Sequence, residues 1–123
     1  MTAAQDIRSA VARYLDAVAT GPAADIADLY ADGATLEDPV GSAQIVDRAA
    51  IRDFYSALDN ATVKTELLAL RVAGNSAAFH FRVSTEMPGQ TVTIEPIDVM
   101  TFDDQARITS MRAFWSPDDI TLG

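Results

Sequence analysis

The hydrophobic periodicity of this chain changes once, near its middle, and that change limits the possible folds more than any other feature. Before Asn60 apolar residues recur every three or four positions, and after it every second one. Ile7, Val11, Tyr14 and Val18 form an inward stripe on a first helix, with Thr2-Ala3-Ala4-Gln5 shaped as a capping box at its start. Gly21-Pro22 supplies a stop. Pro22 also suits the first turn of a short second helix carrying Ile26, Leu29 and Tyr30 on one side. Residues 34–38 read as a brief extended piece. Asp47 then has the character of an N-cap for a third helix, whose inner face is Ile51, Phe54, Tyr55 and Leu58.

Four alternating runs follow, at 62–72, 77–86, 91–102 and 107–115. Turn-prone Gly74-Asn75, Pro88-Gly89 and Asp103-Asp104 separate them. Helices first and successive antiparallel strands afterwards indicate an α+β fold, with three helices covering one face of a mostly antiparallel sheet. Strands this long imply strong twist and curvature. A chain of 123 residues has room for one core, so residues 1–123 are expected to form a single domain. No repeat, low-complexity segment or linker interrupts it.

Alternation also assigns faces. In 91–102 the even positions are Val92, Ile94, Pro96, Asp98, Met100 and Phe102, so one acid points the same way as the bulky apolar groups. Phe79, Phe81 and Val83 repeat the pattern next door, which leaves His80 and Arg82 outside. Ile97 and Val99 on the opposite face suggest a sheet covered on both sides, by a partner subunit on the second. Burial raises a carboxyl's pKa and can keep it protonated, turning an acceptor into a donor. The ordinary alternatives for Asp98 are a structural pair with an arginine such as Arg112, or a bulge that turns it to water.

Asp38 poses the same question. It shares a side with Leu36, and Pro39 both favours an extended Asp38 and ends strand pairing there. An acid at such a strand end can be a general base or an ordinary turn residue. The three tyrosines, Tyr14, Tyr30 and Tyr55, fall on the inward stripes of three different helices. Their hydroxyls are therefore either joined in one network or separate at the rim of the core. Met111 and Trp115 share parity on the last strand, where they line a pocket or fill the core.

Composition removes several function classes. A net charge of −9 gives no clustered cations to capture nucleic acid or an anionic membrane. The absence of cysteine excludes disulfides, thiolate nucleophiles and Cys-type zinc sites, and the single histidine, His80, makes a His-rich metal centre unexpected. No apolar run approaches the ~20 residues needed to span a bilayer, and no signal peptide is read at the N-terminus. The expectation is a cytoplasmic protein without metal or cofactor.

Four stretches carry a specific resemblance: Leu36-Glu37-Asp38-Pro39-Val40-Gly41, Ala50 through Tyr55, Pro96 through Phe102, and Met111 through Trp115. In order and spacing the chain resembles the ketosteroid isomerases (steroid Δ5-isomerases) over nearly its whole length. The resemblance implies the cone-shaped nuclear-transport-factor-2-like architecture, shared with the SnoaL-like proteins, and a homodimer. It implies Asp38 as general base, Tyr14 and a protonated Asp98 as oxyanion hole, and Tyr30 and Tyr55 as a supporting hydrogen-bond network. This family is itself the standard example of a carboxylic acid kept neutral in an apolar site. The implied reaction converts a 3-oxo-Δ5 steroid to its Δ4 isomer through a dienolate. An uncharged steroid calls for an apolar slot, for which Val18, Phe54, Phe81 and Val83 are candidates, together with Met100, Met111 and Trp115. Other readings of the scaffold are a polyketide cyclase or dehydratase, a non-catalytic small-molecule binder, and a protein-interaction domain. Residues 44–47 and 85–91 depart from what the family leads one to expect, which leaves the preferred steroid open.

Overall fold

The computed structural model describes residues 3–123. Helix α1 (Ala4–Thr20) buries Ile7, Val11, Tyr14 and Val18 as anticipated, with Ala10 and Leu15 beside them. Thr2 of the expected capping box lies outside the described residues. The N-cap position is Ala3, which makes no side-chain cap bond. Gly21 ends the helix at φ 48°, a conformation glycine reaches without Cβ strain, and its N–H bonds to Ala17 O at 2.7 Å.

Helix α2 is shorter than the pattern suggested, Ala23–Ala27, and it does not carry Tyr30. Tyr30 instead opens strand β1 (Tyr30–Glu37). Tertiary bonds hold this backbone extended: Leu29 O accepts the Ile108 N–H at 2.9 Å, and Tyr30 O accepts the Arg48 guanidinium at 2.9 Å. Packing decides against local propensity here. Helix α3 (Arg48–Tyr55) buries Ile51 and Tyr55 and runs on into a single 3₁₀ turn, Ser56–Leu58. Asp47 stands at its N-cap position, but its side chain makes no cap bond; its φ is 78° and its N–H is held by Ala34 O at 3.0 Å.

The remaining strands are β2 (Ile45–Val46), β3 (Thr62–Ala73), β4 (Ser76–Met87), β5 (Gln90–Ile94), β6 (Ile97–Phe102), β7 (Ile108–Phe114) and β8 (Ile120–Leu122). They form one sheet in the order β2-β1-β7-β6-β4-β5-β8, with β3 paired to β4 as well. Every pair is antiparallel except β1 with β7. The edge strands β2 and β8 were not anticipated, being too short to show alternation. The expected strand 91–102 is broken at Glu95-Pro96, where proline has no N–H to give the ladder. One edge of β4 therefore pairs with β6 through His80 and with β5 from Val83 onward, so the sheet divides at Phe81. Register shifts in the β1/β7, β3/β4 and β6/β7 pairs add further curl.

Helix α1 lies across β3 and β4, and α3 packs on β1. Leu36, Phe79, Phe102 and Ile108 fill the space beneath, each at most 2% exposed. Met100 and Met111 belong here too. They face each other directly in the β6/β7 ladder and are 0% and 1% exposed, so they are packed core and not pocket wall. The opposite face is different. Ile97 and Phe114, also ladder partners, are 47% and 42% exposed. Beside them Arg82 bridges Glu66 and Glu95. Among the described residues no helix is long and apolar enough to cross a membrane.

Candidate active site

Asp98 is 1% exposed and is the buried charged-type residue among those described. Strand parity puts it there: β6 turns Asp98, Met100 and Phe102 to the interior and Ile97 to the outside. Register is unbroken at this point, with Phe79 opposite on one side and Ala113 on the other, so no bulge turns the acid to water. Arg112 does not pair with it. That side chain points to the outer face, 3.7 Å from Glu37 and 5.3 Å from the Phe114 ring centre. Among the described residues nothing hydrogen-bonds Asp98 Oδ1. A buried ionised carboxylate in that position would carry a large desolvation penalty. Burial first, and the nearby Asp38 second, push its pKa well above the ordinary carboxylate value. In its neutral form Asp98 would have a proton to donate and, among the described residues, no acceptor for it.

Tyr14 reaches the same place from α1. Its ring packs edge-on against Phe79, the ladder partner of Asp98, at 6.3 Å between centroids. Its hydroxyl lies 2.9 Å from that of Tyr55, which in turn lies 2.7 Å from that of Tyr30. The three phenols are thus one network, although Tyr30 joins it from a strand and not from a helix. Burial raises all three pKa values well above the ordinary phenol; Tyr30 and Asp98 add to the effect on Tyr14, and the bond from Tyr55 opposes it. If Tyr30 donates to Tyr55 and Tyr55 to Tyr14, the Tyr14 proton is left free for the cavity.

Asp38 follows the last residue of β1, half-buried, on the same side as Leu36. Trp115 Nε1–H donates to its Oδ1 at 2.6 Å. Burial raises the Asp38 pKa, and the indole bond pulls it back by stabilising the charged form. The environments of the two acids differ in kind. Asp98 is buried and, among the described residues, unpartnered, whereas Asp38 is half-buried and accepts a hydrogen bond.

These groups share one cavity of about 360 Å³. Of the residues expected from the sequence, Tyr14, Tyr55, Asp38, Asp98, Val18, Phe54, Phe81, Val83 and Trp115 line it. Tyr30 stands behind Tyr55, and Met100 and Met111 lie outside. Pro39, Ala57, Leu58, Thr85, Ile94, Pro96 and Ala113 line it as well. Strand parity carried the signal for Ile94, Pro96 and Thr85, which share faces with Asp98 and Phe81. Nothing local marks Ala57, which arrives through the turn after α3. A second hollow of about 410 Å³ sits beneath Gly21-Pro22, but it is rimmed by exposed Asp59 and Asn60. Its one buried hydroxyl, Tyr55, already has two partners. Among the described residues no three acidic or histidine side chains converge as a metal site.

The slot is apolar, with a phenol and a carboxyl at its buried part and a second carboxyl on its wall, groups able to act on an oxygen and a proton of a bound molecule. Comparison with known proteins points the same way. The model of the SnoaL-like domain matches residues 11–111. The chain is 58% identical over 117 residues, 95% of each sequence, to the Steroid Delta-isomerase of Nocardioides simplex. Among solved structures it superposes with a TM-score of 0.92, at 30% identity and over the full length of both chains, on SalBIII. SalBIII is described as an epoxide hydrolase/cyclase-like enzyme with a role in pyran ring formation in the polyether salinomycin.

Proposed function

The chain belongs to the SnoaL-like domain family, and from that premise we propose that it is a steroid Δ-isomerase acting through Asp38, Tyr14 and Asp98. The substrate is a 3-oxo-Δ5 steroid and the product its conjugated Δ4 isomer. The observation that carries this reading is the Asp98 carboxyl: buried, without a hydrogen-bond partner among the described residues, and sharing a cavity with Tyr14.

Asp38 removes a proton from C4, leaving a dienolate, and returns it at C6. One carboxylate serves both carbons because it sits at a strand end above the slot, where a small swing of its side chain covers the distance. Negative charge develops on the 3-oxygen. The Tyr14 hydroxyl and the Asp98 carboxylic acid, already in place and shielded from water, stabilise it with little reorganisation. Tyr55 and Tyr30 support Tyr14 by orienting its hydroxyl and relaying polarisation. The Trp115 indole N–H favours the charged form of Asp38, the form that takes the C4 proton. Phe54, Phe81, Val83 and Val18 sheathe the rings.

The working form on this reading is a cytoplasmic homodimer without a cofactor, single-domain in each copy. The outer face around Ile97 and Phe114 supports the dimer, since it offers apolar ladder partners to a second sheet.

The test is to mix the protein with a 3-oxo-Δ5 steroid and follow the ultraviolet absorbance of the conjugated enone. Turnover is the expected result. No turnover at micromolar enzyme overturns the reading, and tight steroid binding without turnover replaces it with a binding protein. The likeness to SalBIII favours one second reading, ring-forming or epoxide-opening chemistry with Asp38 as base. It is supported instead if epoxide substrates react and the steroid does not.

A further inference from the structure

We propose that Thr85 sets substrate choice by hydrogen-bonding an oxygen on ring D, at the opposite end of the steroid from the reacting ring; this rests on the isomerase reading above. The polar side chains of the cavity are Tyr14, Tyr55, Asp38, Asp98, Trp115 and Thr85, and all but Thr85 belong to the cluster around the two acids. Among the described residues the Thr85 hydroxyl has no hydrogen-bond partner. Its ladder partners, Val63 and Val92, are apolar.

Its place along β4 sets the distance. Phe79, Phe81, Val83 and Thr85 succeed one another on the inner face, and Phe79 is opposite Asp98 while Thr85 is opposite Val92. The part of β4 that lines the cavity, Phe81 to Thr85, spans about 14 Å in a flat strand and less where it curls, comparable with a fused four-ring skeleton; Phe79, opposite Asp98, is the next inner-face residue and lies outside the lining. A steroid whose 3-oxygen rests between Tyr14 and Asp98 and whose rings lie along Phe81 and Val83 ends beside Thr85.

The energetics follow from desolvation. Thr85 is half-buried, so water can reach it. Ring D closing over it removes that water. A ligand oxygen replaces the lost hydrogen bond, and a hydrocarbon edge does not. A hydroxyl both donates and accepts, so a ketone or an alcohol can fill the role.

The test compares kcat/KM for a 3-oxo-Δ5 steroid bearing a 17-ketone with that of its 17-deoxy counterpart. It uses the wild type, Thr85→Val (same shape, still a good strand former) and Thr85→Ser. The ratio of the two substrates cancels general losses. In Thr85→Val it is expected to fall about fivefold, through KM for the ketone, and Thr85→Ser is expected to recover most of it. A ratio within twofold of wild type in Thr85→Val overturns the proposal. Calorimetric affinities of the same two steroids give the same ratio without catalysis. A wild type that binds but does not turn over therefore fails the isomerase reading alone, and an unchanged affinity ratio fails the Thr85 assignment alone.

Discussion

Trp115 donates its indole N–H to Asp38 across a gap of 2.6 Å, joining the end of the last long strand to the end of the first. That bond opposes the upward pull of burial on the Asp38 pKa. Trp115→Phe removes the donor and keeps the apolar wall. The acid limb of the kcat/KM profile, where the base becomes protonated, is expected to move to higher pH, with activity below that limb about tenfold lower. An unmoved limb shows that Trp115 only fills space.

Removing one oxyanion donor gives a larger effect. Tyr14→Phe and Asp98→Leu are each expected to lower kcat by about two to three powers of ten. Asp98→Asn, which keeps an N–H donor, should lose less. Wild-type rates in Tyr14→Phe and Asp98→Leu refute the assignment.

Tyr55 is bonded on both sides. Tyr55→Phe leaves two buried hydroxyls short of a partner, an expected loss of about 1–3 kcal/mol in urea unfolding. Its rate effect should be smaller than that of Tyr14→Phe, because Tyr55 acts through Tyr14. Equal rate losses would place Tyr55 itself against the oxygen.

Asp98 also leaves a signature in stability. Its folded pKa lies above its unfolded one, so between the two the native state binds the extra proton. Its stabilising contribution is complete below the unfolded pKa and is lost as pH rises through the folded one. Asp38 is shifted in the same direction, so the comparison is best made in an Asp38→Asn background. There, adding Asp98→Asn should remove a downward slope of up to ~1.4 kcal/mol per pH unit. Parallel stability curves would mean that Asp98 is ionised in the native state.

Ile97 lies on the outer sheet face opposite Phe114 in the ladder. Ile97→Lys places a charge in the proposed dimer contact and should convert a sedimenting dimer to a monomer at micromolar concentration. A wild type that is already monomeric, or a variant that stays dimeric, counts against that face.

Alternation read Asp98 correctly because a strand leaves a side chain only two directions, and its neighbours Met100 and Phe102 fix which one is inside. The same reasoning could not decide Met100 and Met111, named as candidates for the steroid slot and found in the core. Parity tells inner from outer, but it cannot tell a wall of the cavity from core packed further along the same face. Tyr30 shows another limit: bonds from Arg48 and Ile108 hold its segment in the sheet, and neither is near it in sequence. The Trp115–Asp38 bond spans 77 positions and depends on β1 lying parallel to β7, a pairing no local pattern reveals.

The most direct measurement is the single-turnover rate of the enone absorbance, with enzyme in excess over a 3-oxo-Δ5 steroid, for wild type and Asp38→Asn side by side. Excess enzyme removes binding from the comparison. The expected result is rapid isomerisation by the wild type and a rate lower by about two to four powers of ten, or more, in Asp38→Asn, with the steroid still bound. A variant rate within tenfold of wild type would contradict proton transfer by Asp38.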